Sequence, residues 1–102
     1  MAFLSIHTME GDPEDLLARK RQHMDPVTER LAPSFGALVS VTSRTKTGIV
    51  TVNVWETPEG AAAFSQDPEA VRAHQASGLP RPATFERFTD ADCVCYGQAR
   101  LP

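Results

Sequence analysis

The chain has 102 residues, 41% hydrophobic and 23% charged, with a formal net charge of −3. That length predicts one domain over residues 1–102, small enough that pairing two copies would bury useful extra surface. The apolar content excludes a disordered chain, and the acidic balance argues against a nucleic-acid partner: the only tight basic cluster, Arg19-Lys20-Arg21, lies in a helical pattern and reads as a solvated face.

Residues 2–10 alternate, with Ala2, Leu4 and Ile6 on one side and Phe3, Ser5, His7 and Met9 on the other. This predicts a strand covered on both faces, ended by Gly11. Asp12-Pro13-Glu14-Asp15 then starts a helix. Asp12 serves as N-cap, Pro13 fits the first turn, and the carboxylates meet the positive end of the helix dipole. Leu16, Leu17, Met24, Val27 and Leu31 follow on one stripe, interrupted at Asp25-Pro26 by a kink or a restart. Residues 32–36 close the segment.

Residues 37–45 and 49–56 are the second and third strands, joined by Lys46-Thr47-Gly48 as an antiparallel hairpin. Val50, Val52 and Val54 form one face of the third strand; Thr51, Asn53 and Trp55 form the other. Thr57-Pro58-Glu59 starts a helix carrying residues 61–64, and Asp67-Pro68-Glu69 starts a further short helical turn with Ala70, Val71 and His74. Residues 78–82 are a loop. A last strand is expected from about Thr84 to Tyr96, bent near Asp90-Ala91, with a loose tail after Gly97.

The order β-α-β-β-α-β predicts an α+β, ferredoxin-like fold: a four-stranded antiparallel sheet with the helices on one face. The other face also carries apolar residues, which argues for a homodimer packed sheet to sheet. The N-terminus has no basic region and no long apolar run, so neither a signal peptide nor a membrane span is expected. Cys93 and Cys95 are too close in sequence for a comfortable disulfide and read as reduced thiols of a cytoplasmic protein. No second cysteine pair completes a tetrahedral metal site.

The segment Val52-Asn53-Val54-Trp55-Glu56-Thr57-Pro58-Glu59, followed by Val71-Arg72-Ala73-His74, resembles the antibiotic biosynthesis monooxygenase family. The resemblance covers nearly the whole chain and implies the dimeric α/β barrel. It also implies cofactor-free oxygenation of polycyclic phenols, with a small aromatic molecule and dioxygen as partners. Haem-degrading enzymes share the superfamily, as do many members whose activity is unknown, so a non-catalytic ligand-binding dimer using the same pocket is a further alternative. By that resemblance His74 stands where the haem ligand would be, Phe64 where a tryptophan distorts the ring, and His7 where an asparagine lies on the first strand. One match in three fits haem binding without ring cleavage better than haem degradation.

Two histidines are candidate bases. His7, mid-strand beside Ser5 and Met9, could take a proton from a phenolic substrate if its face lines the cavity. His74 follows Ala70 by four and Val71 by three, so it is expected on their face, toward the sheet. Asn53 and Trp55 could bind a substrate oxygen and stack on a ring; the competing expectation packs Trp55 at the dimer interface. Phe64 and Val71 would wall the pocket, and Arg81, in a Pro-rich loop, could meet a carboxylate. His23 reads as a surface residue. No HxxxH or HxH spacing supports a metal, and no Gly-rich phosphate loop supports a nucleotide cofactor.

Overall fold

The alternating segment Ala2–Glu10 forms β1, an inner strand of a four-stranded antiparallel sheet ordered β2-β3-β1-β4. The computed structural model describes residues 1–97; the tail expected beyond Gly97 lies outside them. β2 spans Ala37–Arg44, β3 Gly48–Trp55 and β4 Thr84–Ala91. β1 pairs with β3 on one side and β4 on the other, and β2 pairs with β3. The expected α+β order is present.

Three helices begin with the same cap-Pro-Glu design. In α1 (Pro13–Arg19) the Asp12 carboxylate accepts the Asp15 backbone N–H at 2.9 Å. In α3 (Pro58–Gln66) the Thr57 hydroxyl accepts that of Gly60 at 3.0 Å. In α4 (Pro68–Ser77) the Asp67 carboxylate accepts those of Glu69 and Ala70. Each cap satisfies backbone donors that the first turn leaves free, and proline removes one more. α4 runs ten residues, longer than the short turn expected, because nothing breaks it before Gly78 at φ 65°.

At Pro26 the chain bends without a new cap. A five-residue π turn, Lys20–Met24, leads directly from α1 into α2 (Asp25–Leu31), and Met24 at the cap position offers no side-chain acceptor. Pro26 has no N–H for the Gln22 carbonyl and its ring crowds that carbonyl, so the helix widens just upstream. A 3₁₀ turn, Ala32–Phe35, follows and ends on Gly36 at φ 93°.

β4 ends at Ala91 rather than near Tyr96, because its partner β1 starts at Ala2 and offers no further backbone to pair with. The bend expected near Asp90-Ala91 is a bulge. Leu4 faces Phe88 and Ala2 faces Ala91, so β4 takes three steps where β1 takes two.

The alternation separates two sheet faces. Phe3, Met9, Ile49 and Trp55 are buried toward the helices, where Leu16, Leu17, Ala32, Phe64, Ala70 and Ala73 meet them. Leu4, Ile6, Val39, Val41, Val50, Val52, Val54 and Phe88 occupy the opposite face. There Val41 is 56% and Phe88 47% exposed. Among the described residues no helix is long and apolar enough to cross a membrane.

Candidate active site

The helix-facing residues of β1 and β3 lie in register as four pairs: Phe3 opposite Trp55, Ser5 opposite Asn53, His7 opposite Thr51, and Met9 opposite Ile49. The outer pairs are apolar and the inner pairs polar. The interior follows this pattern. One apolar cluster holds Phe3, Ala32, Trp55, Phe64 and Ala70; another holds Met9, Leu16 and Ile49. Between them runs a polar band. β2 extends it with Thr42, whose hydroxyl lies 3.0 Å from that of Thr51, and with Ser40 opposite Asn53. A domain of this size ordinarily has one continuous core, and replacing its centre with hydroxyls, an amide and an imidazole forfeits apolar burial.

His7 is the residue of the band with chemistry to offer. Its Nδ1 is buried and has no hydrogen-bond partner, an uncommon state for a buried polar atom. Its ring stacks on Phe85 across the strand pair, centroids 5.5 Å apart and planes 5° from parallel. The Arg87 guanidinium lies 4.5 Å from the Phe85 ring centre, in cation–π contact. Burial pushes the His7 imidazole below its ordinary pKa, and the Lys20 charge lowers it further. At neutral pH His7 is therefore an uncharged imidazole with one nitrogen free to accept a proton. Residues Thr84–Asp90 of β4, the strand that pairs with β1 beside His7, are exposed throughout.

Lys20 departs from the sequence expectation. It is not part of a solvated basic face. Its side chain is 21% exposed, and its Nζ lies 2.7 Å from the Asp25 carboxylate, itself 15% exposed. The signal in the sequence was Pro26: a proline inside a helical stripe locates the widened turn that brings Lys20 and Asp25 together.

The predicted site residues fall into two groups. His7, Asn53 and Trp55 share the helix-facing side of the sheet, and Asn53 is half-buried in the polar band. Trp55, for which packing at a dimer interface is the competing expectation, is already buried within the subunit. It is buried under the helices against Phe64, ring centres 5.5 Å apart, and Phe64 meets Phe35 edge-on at 5.6 Å. Large aromatics there complete the apolar cluster above the band.

His74 does not face the sheet. Ala70, Ala73 and Ser77, spaced by three and four, are the buried stripe of α4, which turns Val71 and His74 outward. Those two line a cleft of about 400 Å³ with Met24, Phe64, Ser65, Ala70 and Gln75. His7 and His74 thus serve different surfaces. Arg81 is exposed in the loop before β4, and His23, expected at the surface, is half-buried on the π turn.

The thiols of Cys93 and Cys95 are unbonded, 3.9 Å apart. Desolvation, then the Cys95 thiol and the Asp92 charge, push the Cys93 pKa up, which makes it a poor nucleophile. Among the described residues no cluster of three or more His, Cys, Asp or Glu is poised to hold a metal.

An antiparallel sheet ordered β2-β3-β1-β4 with its helices on one face defines the ferredoxin-like class. Within that class the structure has the fold of the antibiotic biosynthesis monooxygenases. No protein-family model and no curated protein matches the chain. Solved structures do. A candidate antibiotic biosynthesis monooxygenase from Chloroflexus aurantiacus J-10-fl superimposes with a TM-score of 0.69 at 17% identity, covering 95% of this chain and 100% of its own. A monooxygenase of Streptomyces coelicolor, solved with the ligand nanaomycin D, gives 0.66 at 20% identity over 94% and 93%. SnoaB, a cofactor-independent oxygenase from Streptomyces nogalater, gives 0.58 at 15% over 91% and 94%. At these identities the likeness establishes the fold, and the chemistry must be argued from the side chains.

Proposed function

We propose that the protein is a cofactor-independent monooxygenase acting on an aromatic or quinone-like small molecule, with His7 as its base. The observation that carries this is the polar band, with a buried, unpartnered imidazole nitrogen between two apolar clusters. A flat substrate would rest its rings on the apolar side near Trp55 and Phe64 and present an oxygen to Asn53 and His7. Similarity in fold to oxygenases, one of them described as cofactor-independent, supports the same chemistry.

The reaction begins with transfer of the substrate O–H proton to the free nitrogen of His7. The resulting anion gives one electron to dioxygen, forming superoxide and a substrate radical, and the two combine as a peroxide. Where the attacked carbon carries hydrogen, the peroxide takes back the proton from His7 and loses water. One oxygen atom remains as a new carbonyl and the other leaves in the water. The protein supplies positioning, a proton acceptor and exclusion of solvent. Oxygen uptake with a panel of hydroxynaphthoquinols and anthrone-type ketones tests this: at least one should be consumed in a metal-free, enzyme-dependent reaction. Uptake by none of them would sink the proposal.

The working unit is proposed to be a cytoplasmic homodimer, with the two apolar sheet faces packed together; free thiols suit a reducing compartment. Val52 lies near the centre of that face, between Ile6 and Val41. Val52→Glu should convert the dimer to a monomer of 11.1 kDa, because burying an unpaired carboxylate costs several kcal/mol. Light scattering after gel filtration reads this directly. An unchanged mass would place the interface elsewhere.

A second reading rests on the cleft beside His74. An exposed imidazole beside a largely apolar lining is a residue set that could hold haem, with His74 supplying a nitrogen to the iron. The lining has no Lys or Arg to meet the haem carboxylates, so the cleft fits the ring better than the whole group. Titration with haem should give at most a weak Soret shift. A saturable shift at one haem per chain, lost in His74→Ala, would put this reading first.

A further inference from the structure

The two cysteines stand apart from the polar band, on the segment that follows β4. Beyond Ala91 the chain leaves one edge of the sheet and crosses its end to the opposite edge, where residues 94–97 meet Ala37, Leu38 and Val39 of β2 and form a cleft of about 310 Å³. β2 is bulged there: Ala37 faces Trp55 and Val39 faces Val54, so Leu38 is the extra residue. Cys95 lines the cleft, and Cys93 stands two residues earlier. In an extended chain residues two apart point the same way, and here the two sulfurs are 3.9 Å apart. Both thiols are free, Cys95 exposed and Cys93 partly so. Among the described residues each sulfur has the other as its hydrogen-bond partner. A disulfide holds its sulfurs about 2 Å apart, and rotation of two surface side chains covers the difference. The chain has no other cysteine to compete for either one.

We propose that Cys93 and Cys95 are a reversible redox site, a dithiol that a hydroperoxide closes to a disulfide and a thiol reductant reopens. The Cys95 sulfur, as thiolate, attacks one peroxide oxygen. The O–O bond breaks, the sulfur becomes a sulfenic acid, and the other oxygen leaves as water carrying the thiol proton. The Cys93 sulfur then displaces the sulfenic oxygen, which leaves as a second water, and the S–S bond forms. Two thiols lose two electrons in all and the peroxide gains them. Cys95 attacks because it is exposed and opens on the cleft. Cys93 resolves, because desolvation, then the Cys95 thiol and the Asp92 charge, keep it protonated. A ring closed through the single residue Val94 is strained, and strained or exposed disulfides are the easily reduced kind. The short spacing that argues against a structural disulfide therefore suits a transient one.

These two thiols are the whole thiol content of the chain, so intact mass reads this site alone. The reduced protein is treated with a small excess of hydrogen peroxide, and thiol loss is followed by maleimide labelling. Both thiols should disappear together, leaving a chain lighter by two hydrogens, with no added oxygen and no cross-link to a second chain. Dithiothreitol should restore both. Cys93→Ser should react at Cys95 within about twofold of the wild-type rate and stop at a sulfenic acid that dimedone traps. Cys95→Ser should lose its remaining thiol at least tenfold more slowly. Melting curves establish that both variants keep the fold. A wild-type chain that gains oxygen at Cys95 while Cys93 stays free, that cross-links to another chain, or that keeps both thiols would overturn the proposal. Equal rates in the two single variants would overturn the assignment of Cys95 as the attacking thiol.

Discussion

Replacing His7 with alanine is expected to lower turnover by about 10²- to 10⁴-fold, the range a positioned general base contributes. The loss should appear in kcat more than in KM, because the imidazole acts on the proton in flight and the rings bind elsewhere. The fold should survive: His7 makes no hydrogen bond through Nδ1 and stacks only on Phe85, at the exposed edge. In the wild type, kcat/KM should rise with pH through a value below 6.5 and level off above it, since only the neutral imidazole accepts a proton and burial lowers its pKa. The same shift has a stability consequence. The unfolded chain protonates His7 first as pH falls, so stability is full above about pH 6.5 and declines below it until the folded protein is also protonated. In His7→Gln both the kinetic limb and this part of the stability change should vanish. A variant that turns over at the wild-type rate would remove His7 from the mechanism.

Trp55→Ala should destabilise the fold by about 3–5 kcal/mol, the usual cost of deleting a buried large aromatic. Trp55 closes the apolar cluster above the band through Phe3 on the neighbouring strand and Phe64 from α3. For a domain of this size that is a large share of the total, visible as a lower denaturation midpoint in urea. Trp55→Phe should recover most of the loss by keeping the ring against Phe64. If Trp55→Ala cost less than about 1 kcal/mol, the indole would be a surface anchor and the order of layers described above would be wrong.

How much of this was legible in the sequence follows from what each signal depends on. Strands and helix starts are local, and the alternation of residues 2–10 and the three cap-Pro-Glu starts gave their positions closely. The polar band was half legible: Ser5 and His7 could be seen to share a face, as could Thr51, Asn53 and Trp55. Their pairing needed the register, which the hairpin geometry and the central position of β1 determine together. His74 misled because spacing from Ala70 and Val71 fits two helix faces equally; only the packing of Ala73 and Ser77 chooses between them. Lys20 was hidden in a basic triplet, and five-residue spacing carries no meaning in a regular α-helix. It acquires one only once Pro26 has widened the turn.

The most direct test of the account is the fate of labelled dioxygen. Wild-type protein, freed of metals with a chelator and given a substrate it consumes, should place one ¹⁸O atom from ¹⁸O₂ in the product and the other in water, with His7→Ala forming that product at least a hundredfold more slowly. Product free of ¹⁸O, or labelled at the same rate with and without His7, would contradict the assignment of the polar band as a base-assisted oxygenation site.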